Sequence, residues 1–133
     1  MSSANSSDPC AADPMELAGI RVLIVEDSWD VGTGLKMLLE TWGADPVGPA
    51  ATMDDARCLA SERTPDVALV DINLRNGEQS YGLIDWLHER GIRIVVISGY
   101  PDVSLAKEKA AAVLPKPVRH DLLLASLRSL KRS

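Results

Sequence analysis

Short apolar runs alternate with longer segments of helical period along this chain. Residues 20–25 and 67–70 form runs rich in β-branched side chains, and residues 92–97 form the strongest run of this kind. Continuous apolar runs are typical of parallel strands that are covered on both faces. Because parallel strands are usually joined by a crossover helix, the alternation predicts an α/β fold with a central parallel sheet.

Five strands and five helical segments are predicted in alternation. Weaker strands are expected at residues 45–48, which Pro46 interrupts, and at residues 111–114. The predicted inward face of the first helix consists of Val31, Leu35, Leu38, Leu39 and Trp42. The second helix is predicted to be capped by Thr52, and the third to run through Leu83, Ile84 and Leu87. The fourth helix is expected to be short and to lie between residues 102 and 109. The fifth is predicted to begin at Arg119, with an inward face of Leu123, Leu124, Leu127 and Leu130.

The chain length of 133 residues allows one core of ordinary size. Residues 1–18 are rich in Ser, Ala, Asp and Pro, so we expect a flexible N-terminal tail. The folded domain is therefore predicted over residues 19–133, beginning near Gly19.

Charge and composition exclude several classes of function. The net charge is −5 and no long basic run occurs, which argues against nucleic acid as a partner. No apolar segment approaches the roughly 18 residues of a membrane span, and no secretory leader is visible. Two cysteines, Cys10 in the tail and Cys58 in a predicted helix, suggest a reducing cytoplasm, with Cys58 interpreted as a small buried residue.

Polar residues follow four of the five predicted strands. They are Glu26 and Asp27 after the first strand, Asp71 after the third, Ser98 after the fourth and Lys116 after the fifth. The carboxyl ends of parallel strands form the ligand-binding edge of an open α/β sheet, so these side chains should converge. Two carboxylates about 4 Å apart repel by roughly 4 kcal/mol at an effective dielectric near 20, and a hard cation such as Mg²⁺ would relieve this repulsion. A phosphoryl group on one carboxylate could then pair with the lysine and the hydroxyl.

Each of these residues also has an ordinary structural interpretation. Asp27 and Ser28 are common helix N-cap residues, and Asp71 could simply end a strand in a turn. Ser98 could belong to a turn and Lys116 could be solvated. The hypothesis of a shared site is favoured because residues of complementary chemistry occur at matching strand ends.

Over residues 20 to about 130, this arrangement closely resembles the receiver domain of response regulators. The resemblance is carried by Val25-Glu26-Asp27, Val70-Asp71-Ile72-Asn73, Ser98-Gly99 and Lys116-Pro117. It implies a flavodoxin-like (βα)5 three-layer sandwich with the parallel sheet order 2-1-3-4-5. It also implies a cis peptide bond between Lys116 and Pro117.

The same resemblance implies a phosphoryl-transfer site. Asp71 would accept the phosphoryl group from a histidine kinase or a histidine phosphotransfer protein. Mg²⁺ would be held by Glu26, Asp27, Asp71 and the backbone carbonyl of Asn73.

Two features depart from a typical receiver. Val113 stands three residues before the lysine, where receivers usually carry an aromatic switch residue, and the segment from Ser98 to Lys116 is short, so the fourth helix is expected to be short or disordered. Both features are similar to the FAT-GUY subgroup of stand-alone receivers. Our hypothesis is that Gly99 and Tyr100 replace the missing switch.

The sequence as a whole predicts a cytoplasmic, single-domain response regulator that is a monomer or weak homodimer. It would not be an enzyme, and it would act by binding a partner or as a phosphate sink. The alternative is a Mg²⁺-dependent phosphohydrolase with an aspartate nucleophile, similar to the haloacid dehalogenase group, which carries a second aspartate where this chain has Asn73. A degenerate receiver that only binds partners is a third interpretation.

Overall fold

The computed structural model describes residues 16–72, 74, 80–99 and 109–131. Five strands lie within these ranges: β1 (Arg21–Val25), β2 (Asp45–Ala50), β3 (Val67–Asp71), β4 (Arg93–Ser98) and β5 (Ala112–Pro115). Four helices are described: α1 (Trp29–Thr41), α2 (Met53–Glu62), α3 (Tyr81–Glu89) and α4 (His120–Lys131). The short helix predicted between residues 102 and 109 falls almost entirely outside the described residues.

All strand pairs are parallel, and the sheet order is β2-β1-β3-β4-β5. This order and the alternation of strands with helices confirm the predicted flavodoxin-like α/β fold. Strand β3 lies at the centre, and all five of its residues are buried. The carboxyl ends of β1, β3, β4 and β5 therefore meet at one edge, where the polar residues of the sequence analysis lie.

The sheet separates two apolar layers. One layer packs α2 and α3 on residues such as Val70 and Ile94, and the other packs α1 and α4 on residues such as Leu69 and Val95. Consecutive strand residues alternate between the layers because successive side chains of a strand point to opposite faces. This double coverage explains why β3 and β4 appear in the sequence as continuous apolar runs.

Helix ends follow the predicted local chemistry. Thr52 accepts a hydrogen bond from the backbone N–H of Asp55 at 3.1 Å, so it caps α2 as expected. Gly43 and Gly91, which follow α1 and α3, have positive φ angles of 87° and 76°. A residue without Cβ adopts this conformation readily and ends a helix there.

Three expectations about burial differ from the structure. Leu17 is fully buried, and its N–H donates to the carbonyl of Trp42, so the packed region includes residues before Gly19. Val31, predicted on the inward face of α1, is 44% exposed because helical period gives a direction around the axis and not the extent of the surface packed against it. Cys58 is exposed on α2 and not buried as interpreted from the sequence.

Some strand boundaries also shift. Strand β2 extends two residues beyond the predicted end and reaches Ala50, while β4 and β5 each lie one residue later than expected. The predicted cis peptide bond between Lys116 and Pro117 is present, and a second one precedes Pro49.

Gly32 allows α1 to approach the end of β2 closely. A Cβ atom at this position would lie 2.8 Å from Cβ of Pro49 and 3.7 Å from Cγ of Glu26. Contacts below 3.0 Å force a neighbour to move, and a proline ring has little freedom to do so. Gly34, one half-turn further along the same helix, has no atom within 4 Å of such a Cβ.

The two glycines provide a matched test of this packing. Gly34→Ala should raise the free energy of unfolding by about 0.5–1 kcal/mol, because alanine is the better helix former. Gly32→Ala should lower it by up to about 2 kcal/mol, since an overpacking cost of about 1–3 kcal/mol outweighs the same gain. Urea unfolding followed by circular dichroism measures both changes. Equal stabilisation by the two substitutions would contradict the close approach of α1.

Candidate functional site

Asp71 and Lys116 form the centre of the site. Asp71 is the last residue of β3 and is 2% exposed, and the Nζ atom of Lys116 donates to its Oδ2 atom at 2.7 Å. Lys116 directly follows β5, and its own backbone N–H donates to the carbonyl of Ser98 at 2.9 Å. This backbone bond joins the ends of β4 and β5 and places the lysine over the end of the central strand.

Glu26 and Asp27 bring two further carboxylates to Asp71. One oxygen from each of the three residues lies within 4.8 Å of the others. Glu26 follows β1 and is 4% exposed, so its charge lies in a poorly solvated place. The sequence prediction that these three residues converge is therefore confirmed in geometry.

The donor set fits a hard divalent cation. Oε2 of Glu26 accepts from the N–H of Ser28 at 3.1 Å, whereas the buried Oε1 has no hydrogen-bond donor among the described residues. Lys116 Nζ lies 4.0 Å from that oxygen, which is beyond hydrogen-bond distance. A buried carboxylate oxygen without a donor, beside two other carboxylates, suits a cation that takes oxygen ligands, such as Mg²⁺.

Burial and the neighbouring carboxylates both disfavour the ionised form of Glu26. Desolvation raises the pKa of Glu26 to about 7, with the charges of Asp71 and Asp27 acting in the same direction. The hydrogen bond from Ser28 and the charge of Lys116 oppose this rise. Near neutral pH the acidic cluster therefore takes up a proton unless another positive charge replaces it.

Lys116 remains protonated in the site. Desolvation alone would lower the pKa of its ammonium group, but the hydrogen bond and charge of Asp71, together with the charges of Glu26 and Asp27, outweigh it and raise the pKa. Its side chain is 37% exposed, so the ammonium group can be reached from solvent. A fixed cation beside Asp71 is suited to pairing with an oxygen of an incoming phosphoryl group.

The remaining predicted site residues are placed as follows. Ser98 ends β4 and is 2% exposed, and Gly99 beside it is exposed. Asn73 and Tyr100 lie outside the described residues, so the predicted metal-binding carbonyl and the predicted switch remain predictions. Val113 is half-buried in β5 and packs against the layer that contains α3.

Ser80 belongs to the surroundings of the site but was missed by the sequence analysis. It is fully buried, and its hydroxyl donates to the backbone carbonyl of Asp71 at 2.6 Å. A serine directly before the helical run of α3 is a recognisable N-cap candidate. The sequence gives no sign, however, that its hydroxyl reaches back nine residues to the acidic strand end.

Comparisons with known proteins agree with this fold and site. Residues 22–128 match the family described as the response regulator receiver domain. The phyllosphere-induced regulator PhyR of Methylorubrum extorquens is 31% identical over 100 residues, which cover 72% of this chain and 38% of PhyR. The chain thus spans well under half the length of this curated relative.

Solved structures show the same architecture. The signal receiver domain of a modulated diguanylate cyclase from Desulfovibrio desulfuricans is 30% identical, with a TM-score of 0.76, over 85% of this chain and 94% of that one. A CheY-like response regulator receiver domain from Methylobacillus flagellatus is 27% identical, with a TM-score of 0.75, over 84% and 98%.

The chain belongs to the response regulator receiver domain family. It is therefore a receiver domain of two-component signal transduction, a class of domain that generally binds Mg²⁺ and interacts with histidine kinases. Within the part of the chain that the structure describes, no helix is both long and apolar enough to cross a membrane.

The raised pKa of Glu26 predicts a pH-dependent stability in metal-free buffer. The unfolded state loses this proton near the ordinary value of 4.5 and the folded state near 7, so the contribution is complete below 4.5 and is lost as the pH rises through 7. At about 1.4 kcal/mol per pKa unit, the free energy of unfolding should fall by about 2–3 kcal/mol between pH 5 and 8.

Glu26→Gln supplies the control, because the amide keeps the shape and cannot ionise. Urea unfolding of both proteins in EDTA at several pH values measures the difference between their profiles. Parallel profiles would show that Glu26 does not take up the proton.

Proposed function

We propose that this receiver accepts a phosphoryl group on Asp71 from a phosphorylated histidine of a kinase or phosphotransfer protein. The observation that carries the proposal is the contact of 2.7 Å between Lys116 and Asp71, at the centre of three carboxylates within 4.8 Å of one another. No structural role needs so many charged groups at one buried strand end, since each costs desolvation energy.

The transfer is a displacement at phosphorus. A carboxylate oxygen of Asp71 forms the new P–O bond, and the P–N bond to the donor histidine breaks, leaving its electron pair on the imidazole nitrogen. Lys116 pairs with a phosphoryl oxygen, and the hydroxyl of Ser98 donates to another. Mg²⁺, held by Glu26, Asp27, Asp71 and the carbonyl of Asn73, would supply positive charge that offsets the negative charge on the phosphoryl oxygens.

The domain would therefore promote its own phosphorylation and dephosphorylation and would not turn over a separate substrate. Membership of the receiver family favours this function over the phosphohydrolase considered in the sequence analysis. We place the protein in the cytoplasm, with no nucleic acid or membrane as partner. We expect a monomer or weak homodimer that signals through protein partners or drains phosphate from a relay.

A groove beside the site suits the protein that delivers the phosphoryl group. This α1 groove has a cavity volume of about 620 Å³ and is lined by Asp30, Val31, Gly34, Leu35, Leu38, Lys116, Pro117, Val118 and His120. The donor histidine must come within bonding distance of Asp71, so the donor protein must cover the surface around Lys116. The exposed apolar side chain of Val31 lies on that surface and would be buried by a docked partner.

Asp71 is predicted to be the single phosphorylation site. Incubation with acetyl phosphate and Mg²⁺ should add one phosphoryl group, seen by intact-mass spectrometry as an acid-stable and base-labile adduct. Asp71→Asn removes the attacking carboxylate and should abolish the adduct. An equal adduct on that variant would refute the assignment, and continuous release of phosphate from phosphomonoesters would favour the hydrolase.

Docking at the α1 groove is predicted to matter only for a protein donor. Val31→Gln should slow transfer from a cognate phosphorylated kinase about tenfold, the effect of losing about 1.4 kcal/mol of apolar contact, and should leave acetyl phosphate labelling unchanged. Met37→Gln is the control, since Met37 is 62% exposed on the same helix and does not line the groove.

Profiling against purified histidine kinases identifies the donor. The measurement is the ratio of the rates of transfer from that kinase to the Val31→Gln and Met37→Gln variants. Equal transfer from the kinase to both variants would place the docking surface elsewhere.

A further inference from the structure

Ser80 makes two hydrogen bonds to the end of the strand that carries the proposed phosphoacceptor. Its hydroxyl donates to the carbonyl of Asp71 at 2.6 Å, and its backbone N–H donates to the carbonyl of Ile72 at 2.9 Å. The side chain is fully buried. Both bonds therefore form away from solvent, where a missing donor is costly to a carbonyl.

The carbonyl of Asp71 lies one residue beyond the last paired residues of β1 and β3. The N–H of Ile72 donates to Ile97 of β4, and in a trans peptide unit the preceding carbonyl points the opposite way, toward the β1 side. Pairing of β1 with β3 ends at Val25 and Val70. On the other side of β1, the N–H of Glu26 donates to the carbonyl of Ala50 in β2.

The hydroxyl of Ser80 therefore holds the Asp71 peptide at the point where the regular pairing of β1 with β3 ends. The carboxylates of Glu26 and Asp71 lie at these same strand ends, with one oxygen of each within 4.8 Å of the other.

The hydroxyl serves the strand end and not the helix it precedes. Ser80 is the N-cap residue of α3, and its carbonyl accepts the N–H of Ile84, but its side chain makes no cap hydrogen bond. An N-cap serine ordinarily uses its oxygen to accept an N–H of the first helical turn, as Thr52 does for α2. The donation to Asp71 is thus not explained by helix capping.

We propose that Ser80 is a positioning residue of the phosphoryl-transfer site, which acts by holding the Asp71 peptide so that the carboxylate meets Lys116 and the acid pair. The inference rests on the proposed function of Asp71 as acceptor. Ser80 itself touches neither the phosphoryl group nor the metal.

The test compares acetyl phosphate labelling of the full chain at saturating Mg²⁺. Ser80→Ala should lower the maximal labelling rate at least tenfold, because the carboxylate is held less often in the reactive geometry. The acetyl phosphate concentration at half-maximal rate should change less than threefold, since Lys116 and its surroundings are intact. Ser80→Cys, which keeps the size but is a weak donor, should behave like the alanine variant.

Thr52→Ala is the control for lost stability, because the hydroxyl that it removes caps α2. It should lower the urea midpoint and leave labelling at the wild-type rate. A folded Ser80→Ala or Ser80→Cys protein that is labelled as fast as the wild type would overturn the proposal. So would an equal loss of rate in Thr52→Ala, or failure of both Ser80 variants to fold, because either result would assign the hydroxyl to stability alone.

The wild-type protein separates this inference from the proposed function. If it takes no phosphoryl group on Asp71, the function itself is wrong. If it is labelled on Asp71 and the Ser80 variants are labelled equally well, only the role of Ser80 is wrong.

Discussion

The ion pair between Lys116 and Asp71 is the interaction on which the charge balance of the site depends. Its atoms lie 2.7 Å apart, yet one ammonium group faces three carboxylates, so the cluster keeps an excess of negative charge. Burial then raises the pKa of Glu26 to about 7, because a proton is one way to reduce that excess. A divalent cation and a phosphoryl group are together another way. The site is thus balanced among several states of charge, which is a useful property for a signalling domain.

The fold provides this cluster through its strand ends. Strand β3 is buried throughout and fixes Asp71, while Glu26 follows the end of β1 and brings its carboxylate beside that of Asp71. Ser80 donates a hydrogen bond to the carbonyl of Asp71, one residue beyond the last pairing of β1 with β3. The close contact of Gly32 with the end of β2 belongs to the same region, since a larger residue there would also approach the side chain of Glu26. Packing and chemistry are therefore coupled along this edge of the sheet.

The sequence predicted the sheet and the carboxylate cluster well because both depend on strong, local patterns. Apolar runs identify parallel strands, and a polar residue at a strand end must lie at the site edge. Exposure was predicted less well: Val31 follows the helical period but faces a groove, and Leu17 is buried through a bond to Trp42 that no local pattern reveals. The contact of Ser80 was missed for a similar reason, since its hydroxyl bonds a backbone carbonyl nine residues earlier in the chain. Such features follow from tertiary packing and not from spacing along the chain.

The separation of the charged groups along the chain has a consequence for synthesis on the ribosome. Lys116 follows Asp71 by 45 residues, although the two side chains touch in the folded protein. At about 5–20 residues per second, roughly 2–9 seconds pass between the translation of the aspartate and that of the lysine. During this interval the acidic residues that follow β1 and end β3 exist without the ammonium group of Lys116, and only dissolved ions can screen them. Repulsion among these carboxylates therefore disfavours the complete association of β1 with β3 until β5 and Lys116 have been synthesised.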